Sequence, residues 1–322
     1  MRILLVKTSS LGDIIHNLPV VSDLKRQFPE ALIDWCVEEA FTDIPRLHPA
    51  VDQIIPVAIR RWRKALFSGA TWSEIGVVRQ ALGSKNYDAI LDTQGLIKSG
   101  LITFFAKGPC HGYAAEVARE PLASWFYDKT FVIPPNAHAV ERNRWLSAAV
   151  FDYPVDLPLD YGIIAPELDF PWLPEIRRAV LLTATSRDDK LWDEERWIEV
   201  TRHLVEHGLS PVLPWGNERE RQRAGRIAAA SVGAVLAPKL SLRELAALIG
   251  HAELAVGVDT GLIHLSTALG VPTIALYVAT DPALTGVYGA RNFRNLGGPG
   301  RAPGVDEVMA AIAQELPKER HR

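Results

Sequence analysis

Residues 253–277 read ELAVGVDTGLIHLSTALGVPTIALY. Leu254 to Val258 is an apolar run of strand length, and Asp259-Thr260-Gly261 breaks it. A helical stretch follows, stopped by the Gly270-Val271-Pro272 breaker, after which a second apolar run begins. Strand, helix, tight turn and strand make a βαβ unit, whose strands lie parallel in a covered sheet. Thr260 to Thr280 carries no charge over 21 residues, the length of a membrane span. It also holds His264, Ser266, four threonines and the breaker, so helix, turn and buried strand is the better reading.

The same alternation runs outward from this unit. Upstream come a strand at 178–185 (RAVLLTAT), a helix at 193–208, a strand at 209–216 (LSPVLPWG), a helix at 217–231, a strand at 233–238 and a helix opened by Ser241. VPTIALY closes the strand set. In the first half, strands are expected at 2–7 (RILLVK), 31–39, 53–58, 87–95 (YDAILDTQG) and HGYAA at 111–115. Between them lie helical patterns from Ile14 to Leu24, from about residue 59 to 83, and at 96–106. Residues 151–174 hold prolines 154, 158, 166 and 171 without a sustained period, and mark a linker. The expected fold is α/β, with two consecutive parallel-sheet domains, 1–155 and 156–322, facing a cleft. In such sheets ligands bind beyond the carboxyl ends of strands, so the loops there are where chemistry is sought.

Composition removes several function classes. At 322 residues the chain suits roughly two domains. With 48% apolar and 23% charged residues it is neither disordered nor collagenous. Net charge is −3, shared evenly: 17 basic and 18 acidic side chains up to residue 160, 18 and 20 after it. No nucleic-acid partner is expected from that balance. Cys36 and Cys110 are too few for a disulfide framework and read as two buried thiols. Ile3–Val6 is too short an apolar run for a signal peptide, which points to a cytoplasmic protein. No D-x-D triplet occurs and the histidines do not cluster, so no metal site is expected.

Four loops carry chemistry. Asp259, Thr260 and Gly261 open a helix after a strand, where free N–H groups and the helix dipole suit a pyrophosphate, with His264 one turn in. An ordinary capped helix with a core histidine is the plainer reading of that loop alone. In LLTATSRDDKLW at 181–192, Thr185, Ser186 and Lys190 can hold phosphate oxygens; a solvated loop is the equal alternative. KTSSLGD at 7–13 matches neither Walker nor dinucleotide fingerprints. Asp13 there follows the first strand and is the best candidate general base, although a helix start alone makes it a weak one. IRRWRK at 59–64 is the densest positive charge, with Arg60, Arg61, Arg63 and Lys64 interleaved with aromatic and apolar residues. Arginine forks suit carboxylates and phosphates, and the mixture also suits a membrane surface; a solvated helix face is the bland reading. Arg119 marks a weaker patch, and the turn Asp92-Thr93-Gln94-Gly95 has no evident role.

VKTSSLGDIIHNLP, DWCVEE, PVAIRRWRKA, NYDAILDTQGLIKS, AREPLAS, TSRDDKLW, LPWG, APKLSL, VDTGLIHL and YVATDP, in this order, resemble the lipopolysaccharide heptosyltransferases, and within them the type I branch. The resemblance covers nearly the whole chain. It implies a GT-B fold and inverting transfer of L-glycero-D-manno-heptose from ADP-heptose to a Kdo residue of Kdo2-lipid A. It further implies no cofactor and a place on the cytoplasmic face of the inner membrane. Carried over residue by residue, Asp13 matches the catalytic base. Thr185, Ser186, Lys190, Asp259, Thr260, Gly261 and His264 match donor phosphate contacts, with Ser186 where a threonine is expected. Glu220 matches a ribose-binding glutamate, with Glu218 as the alternative register, and Leu240 matches a backbone contact to adenine. Arg60, Arg61, Arg63, Lys64 and Arg119 match the acceptor side. The last helix is allowed to pack back on the N-terminal domain. Three other readings stay open: a heptosyltransferase acting on a later core acceptor, a GT-B nucleotide-sugar epimerase needing no acceptor, and a two-domain sugar-binding protein.

Overall fold

The structure is a computed structural model in which residues 1–174 and 176–316 are described. Two compact units divide the chain, Met1–Ile163 and Ile164–Arg322. The first holds six parallel strands: β1 (Arg2–Val6), β2 (Leu32–Glu38), β3 (Gln53–Val57), β4 (Ala89–Asp92), β5 (Cys110–Tyr113) and β6 (Lys129–Phe131). Their order is β3-β2-β1-β4-β5-β6. The second holds β7 (Arg178–Leu182), β8 (Ser210–Leu213), β9 (Val235–Leu236), β10 (Leu254–Val258), β11 (Thr273–Tyr277) and β12 (Phe293–Gly297). Here the order is β12-β11-β10-β7-β8-β9, the same arrangement repeated. Each sheet reverses direction between its first and fourth strands, and the crevice at the carboxyl ends of that pair is where such folds bind ligands. In the first unit these ends are Val6 and Asp92, paired in register; in the second, β7 pairs with β10, with Leu182 opposite Gly257.

Central strands are apolar because both faces are covered. Ile3, Leu4, Leu5 and Val6 are buried, as are Leu254, Val256 and Val258. β6, KTF, and β12, FRNLG, are not among the strands expected from sequence. Both are edge strands, half exposed and partly polar, so no apolar run announces them. The stretch from residue 59 to 83 is not one helix. Ile59–Trp62 forms a single turn, and a second helix runs Gly69–Gly83 with Ser68 at its start. A helix also occupies Ala139–Phe151, ended by Asp152 in the left-handed conformation. The following segment has no helix or strand among its described residues, as its prolines predict. Gly162 in it has φ +64°, and a Cβ there would stand 2.2 Å from His48 Nε2, so only glycine fits.

Residues 260–280 fold as helix Gly261–Ala268, a turn at Gly270 with φ +78°, and β11. Among the described residues no helix is long and apolar enough to cross a membrane. The last described helix, Val305–Glu315, which the sequence reading allows to return to the N-terminal domain, packs against β11, β12 and helix Glu194–Glu206 of its own unit. Cys36 and Cys110 are buried free thiols, and burial pushes both up, Cys110 to about 12.

Candidate active site: two strand-end loops

In the second unit, the loops after β7 and β10 meet. Thr185 Oγ1 donates to the Asp259 carbonyl at 3.1 Å, which ties the two loops together. Lys190 reaches Asp259 Oδ2 at 2.6 Å, and Thr280 Oγ1 donates to the same oxygen at 2.7 Å. His264 Nε2 lies 3.8 Å from Asp259 Oδ1. Burial by itself would raise the Asp259 carboxyl, but His264, Lys190 and Thr280 outweigh it and hold the group well below the usual carboxylate range. Thr260 stands at the start of helix Gly261–Ala268 without a side-chain cap, so the first N–H groups are left for an anion. Asp259 faces a cation, Lys190. That ion pair holds Lys190 beside the helix start.

Thr185 and Ser186 line a pocket with Asn217, Arg219, Glu220 and Arg223. Glu220 accepts from Gly216 N and Asn217 Nδ2, both at 2.7 Å, which fixes its carboxylate at the pocket wall. Glu218 pairs with Arg221 at 2.8 Å on the outside of the same helix. Glu220 thus lines the pocket, and Glu218 points away from it to Arg221. Leu240 is half-buried in the loop between β9 and helix Leu242–Gly250. The NERERQRAGR pattern places Arg219, Arg223 and Arg226 on the pocket side, which sequence spacing reveals only once the helix is known. Arg219 pairs with Asp188 at 3.0 Å and Arg226 with Glu194 at 2.7 Å, so both forks are engaged.

In the first unit, Asp13 sits in the short helix Leu11–Ile15 after β1. Its Oδ2 accepts from Ser10 N at 2.8 Å, and Arg119 Nη2 donates to Oδ1 at 3.1 Å. Asp13 and Arg119 line a small pocket with Lys7, Gln94, Tyr113, Arg142 and Asn143. Lys7 is buried, its ammonium donating to Thr93 O at 2.6 Å. Burial holds Lys7 down at about 8, partly opposed by Asp13. Burial raises Asp13, but Lys7, Arg119 and the Ser10 N–H together bring it below its ordinary value.

The turn at 92–95 now has a role. Asp92 Oδ1 accepts from Gln94 N at 2.8 Å and from Gly95 N at 3.3 Å, and Gly95 takes φ +67°. That turn aims Gln94 Oε1 at Thr8 N and Ser9 N, 3.0 and 3.1 Å away. The turn after β4 thus holds the loop after β1 that carries Asp13. Gln94 Nε2 is buried with no protein partner, in the same pocket. Lys98 Nζ donates to Ser9 Oγ at 2.7 Å beside it. Lys98 and Arg142 carry no local mark in the sequence, and Lys7 and Gln94 lie in the loop at 7–13 and the turn at 92–95, where nothing local tells their part.

The basic cluster divides. Arg61 is bound by Glu39 at 3.0 Å and Glu74 at 2.9 Å, and those hydrogen bonds raise its guanidinium further. Its fork is occupied, which weakens the acceptor reading for Arg61. Arg60 stacks over Phe41 at 5.2 Å, with its backbone N–H on Glu38. Arg63 and Lys64 are exposed and have no ion-pair partner among the described residues. No group of three metal-ligating side chains occurs among the described residues.

The profile of glycosyltransferase family 9 (heptosyltransferase) matches residues 75–308. Lipopolysaccharide heptosyltransferase 1 of Escherichia coli strain K12 is 46% identical over 291 residues, covering 90% of this chain and 91% of that protein. The E. coli heptosyltransferase WaaC with ADP superposes with a TM-score of 0.89 at 43% identity, over 98% of both chains. The same enzyme with ADP-2-deoxy-2-fluoro heptose gives a TM-score of 0.85 at 42% identity, again over 98% of both chains. The two six-stranded parallel sheets are thus a GT-B-like fold.

Proposed function

The chain belongs to glycosyltransferase family 9, the heptosyltransferases, and from that membership we propose that it moves L-glycero-D-manno-heptose from ADP-heptose to a Kdo residue of Kdo2-lipid A. This would add the first heptose of the lipopolysaccharide inner core, at the cytoplasmic face of the inner membrane. The observation that carries the donor half is Lys190 held by Asp259 beside an uncapped helix start. As the bond to heptose breaks, negative charge grows on the departing ADP. Lys190 and the free N–H groups of Gly261 and its neighbours stabilise that charge, and Thr185 and Ser186 add hydroxyl donors. Glu220 takes the ribose, and the backbone at Leu240 meets the adenine.

In the acceptor half, Asp13 removes the proton from the attacking Kdo hydroxyl, and a single displacement inverts the anomeric carbon. With Lys7 and Arg119 near it, Asp13 starts as a weak base. An acceptor carboxylate that draws the Arg119 fork onto itself removes one of those cations. The base then strengthens when substrate is present. Arg60, Arg63 and Lys64 meet the phosphates of the lipid, with Lys98 and Gln94 Nε2 as further donors.

Incubation with ADP-heptose, with and without Kdo2-lipid A, tests the reading. ADP release and a heptosylated lipid are expected only when the acceptor is present. Transfer only to an already heptosylated core would make the chain a later heptosyltransferase. A change in the nucleotide sugar without acceptor would make it an epimerase.

A further inference from the structure

We infer that the outer face of the first unit is a docking surface for an anionic bilayer, formed by Phe67, Trp72, Phe104 and Trp125 within a belt of basic side chains. The inference rests on the lipid acceptor proposed above. Connections β3 to β4, β4 to β5 and β5 to β6 all advance in one direction across the sheet. Right-handed crossovers therefore put the three on a single face. They carry helices Gly69–Gly83 and Ile97–Thr103 and the 3-10 turn Pro121–Phe126. Inward, Leu82, Ile102 and Ala123 bury into one core with Val78, Phe105 and Phe126 packed on it. The three pieces touch. A Cβ on Gly100 would stand 2.5 Å from the Phe126 ring, and the Arg79 guanidinium lies 5.0 Å from the Phe105 ring.

Outward, large apolar side chains interrupt the polar surface. Trp72 is 60% exposed, Phe104 75%, Trp125 81% and Phe67 fully, and Leu66, Val77, Leu101 and Leu122 are exposed with them. These four rings are the only exposed phenylalanines and tryptophans among the described residues. Trp72 Nε1 donates to Leu66 O at 2.8 Å, which joins the Leu66–Phe67 tip to the helix. Soluble surfaces scatter such rings, and their concentration on one face marks an interaction site. Charge selects the partner. Residues 59–107 hold eight basic and three acidic side chains in a chain of net charge −3. Of those three, Asp92 is buried and Glu74 is paired with Arg61. Arg61 serves Glu39 and Glu74, Lys85 serves Asp34 and Lys98 serves Ser9, which leaves Arg60, Arg63, Lys64, Arg79 and Lys107 for the belt. Tryptophan rings settle at the headgroup boundary and basic side chains attract anionic lipids, so the combination fits a bilayer surface.

Flotation with phosphatidylglycerol–phosphatidylethanolamine vesicles, against pure phosphatidylcholine, tests the inference. The wild type is expected to float with the anionic vesicles and to dissociate at about 1 M salt, where screening shortens to about 3 Å. Phe104→Ser with Trp125→Ser should cut partitioning about tenfold or more. Arg79→Gln with Lys107→Gln should cut it about fivefold per residue, on anionic vesicles alone. ADP binding and turnover of a soluble, de-acylated acceptor should stay at wild-type levels in both variants, which shows that they fold. If the wild type turned over no soluble acceptor, the acceptor reading would fail while the vesicle result stood by itself. Brominated lipids should also quench Trp72 and Trp125 in the unaltered protein. No wild-type binding to anionic vesicles, no quenching, or equal binding by the aromatic variant would overturn the docking surface.

Discussion

Asp92 and Asp259 follow or end the fourth strand of two sheets with the same order, and their surroundings differ. Asp92 is fully buried, with the Tyr127 hydroxyl at 2.8 Å and two backbone N–H groups on it, and burial pushes its carboxyl up. Asp259 has Lys190 at 2.6 Å, and its carboxyl is held down despite its burial. One builds a turn that supports the loop bearing Asp13. The other holds a lysine at a helix start. A strand end at a switch point thus supplies a position, and the partner that tertiary packing brings decides whether the position is scaffold or site.

The comparison predicts that the two regions can be disabled separately. The largest effect belongs to Asp13→Ala, which should lower kcat by about 10² or more, the range of lost general-base catalysis. ADP affinity should hold. A parallel loss of ADP binding in a folded variant would erase the distinction between the regions. Next comes Lys190→Ala, expected to weaken ADP and ADP-heptose alike by about 1.5–3 kcal/mol, as for one lost charge-assisted contact. Asp259→Asn should weaken ADP less, because Lys190 remains. Asp92→Asn should leave calorimetric ADP binding unchanged while lowering thermal stability.

Lys7 sharpens the contrast through pH. Its ammonium titrates at about 8 in the folded chain against 10.5 for an ordinary lysine. The cost of burying it is fully present below pH 8. Between there and pH 10.5 the unfolded chain binds more protons, so stability rises with pH, by about 3 kcal/mol at the limit. Denaturant unfolding across that window should show the slope in wild type and lose it in Lys7→Met. The smallest effect is expected in the basic cluster. Arg60→Ala and Arg63→Ala should raise KM for the acceptor several-fold, most at low salt. Arg61→Ala, whose fork serves Glu39 and Glu74, should do less, and a larger effect at Arg61 would place it in the acceptor site after all.

Alternation of apolar runs with helical patterns is enough to recover the parallel sheets and their strand-end loops. That works because a strand covered on both faces must be apolar throughout, whatever it pairs with. The same rule explains what went unseen. β6 and β12 lie at edges, where half the strand meets solvent and polar residues suffice. Helix Ile59–Trp62 and its successor read as one because the break between them, residues 63–68, holds neither proline nor glycine.

Sequence alone pointed to two places for chemistry: a helix start after a strand, near Lys190, that suits an anion, and the loop after the first strand that carries Asp13. Those properties are local, set by backbone dipoles and by residue type within a few positions. Only tertiary structure decided the partners. Lys190 meets Asp259 69 residues away, Arg119 meets Asp13 across 106, and Gln94 meets Thr8 across 86. Electrostatic energy depends on separation in space and on burial, and both arise when the sheet order brings distant strand ends side by side.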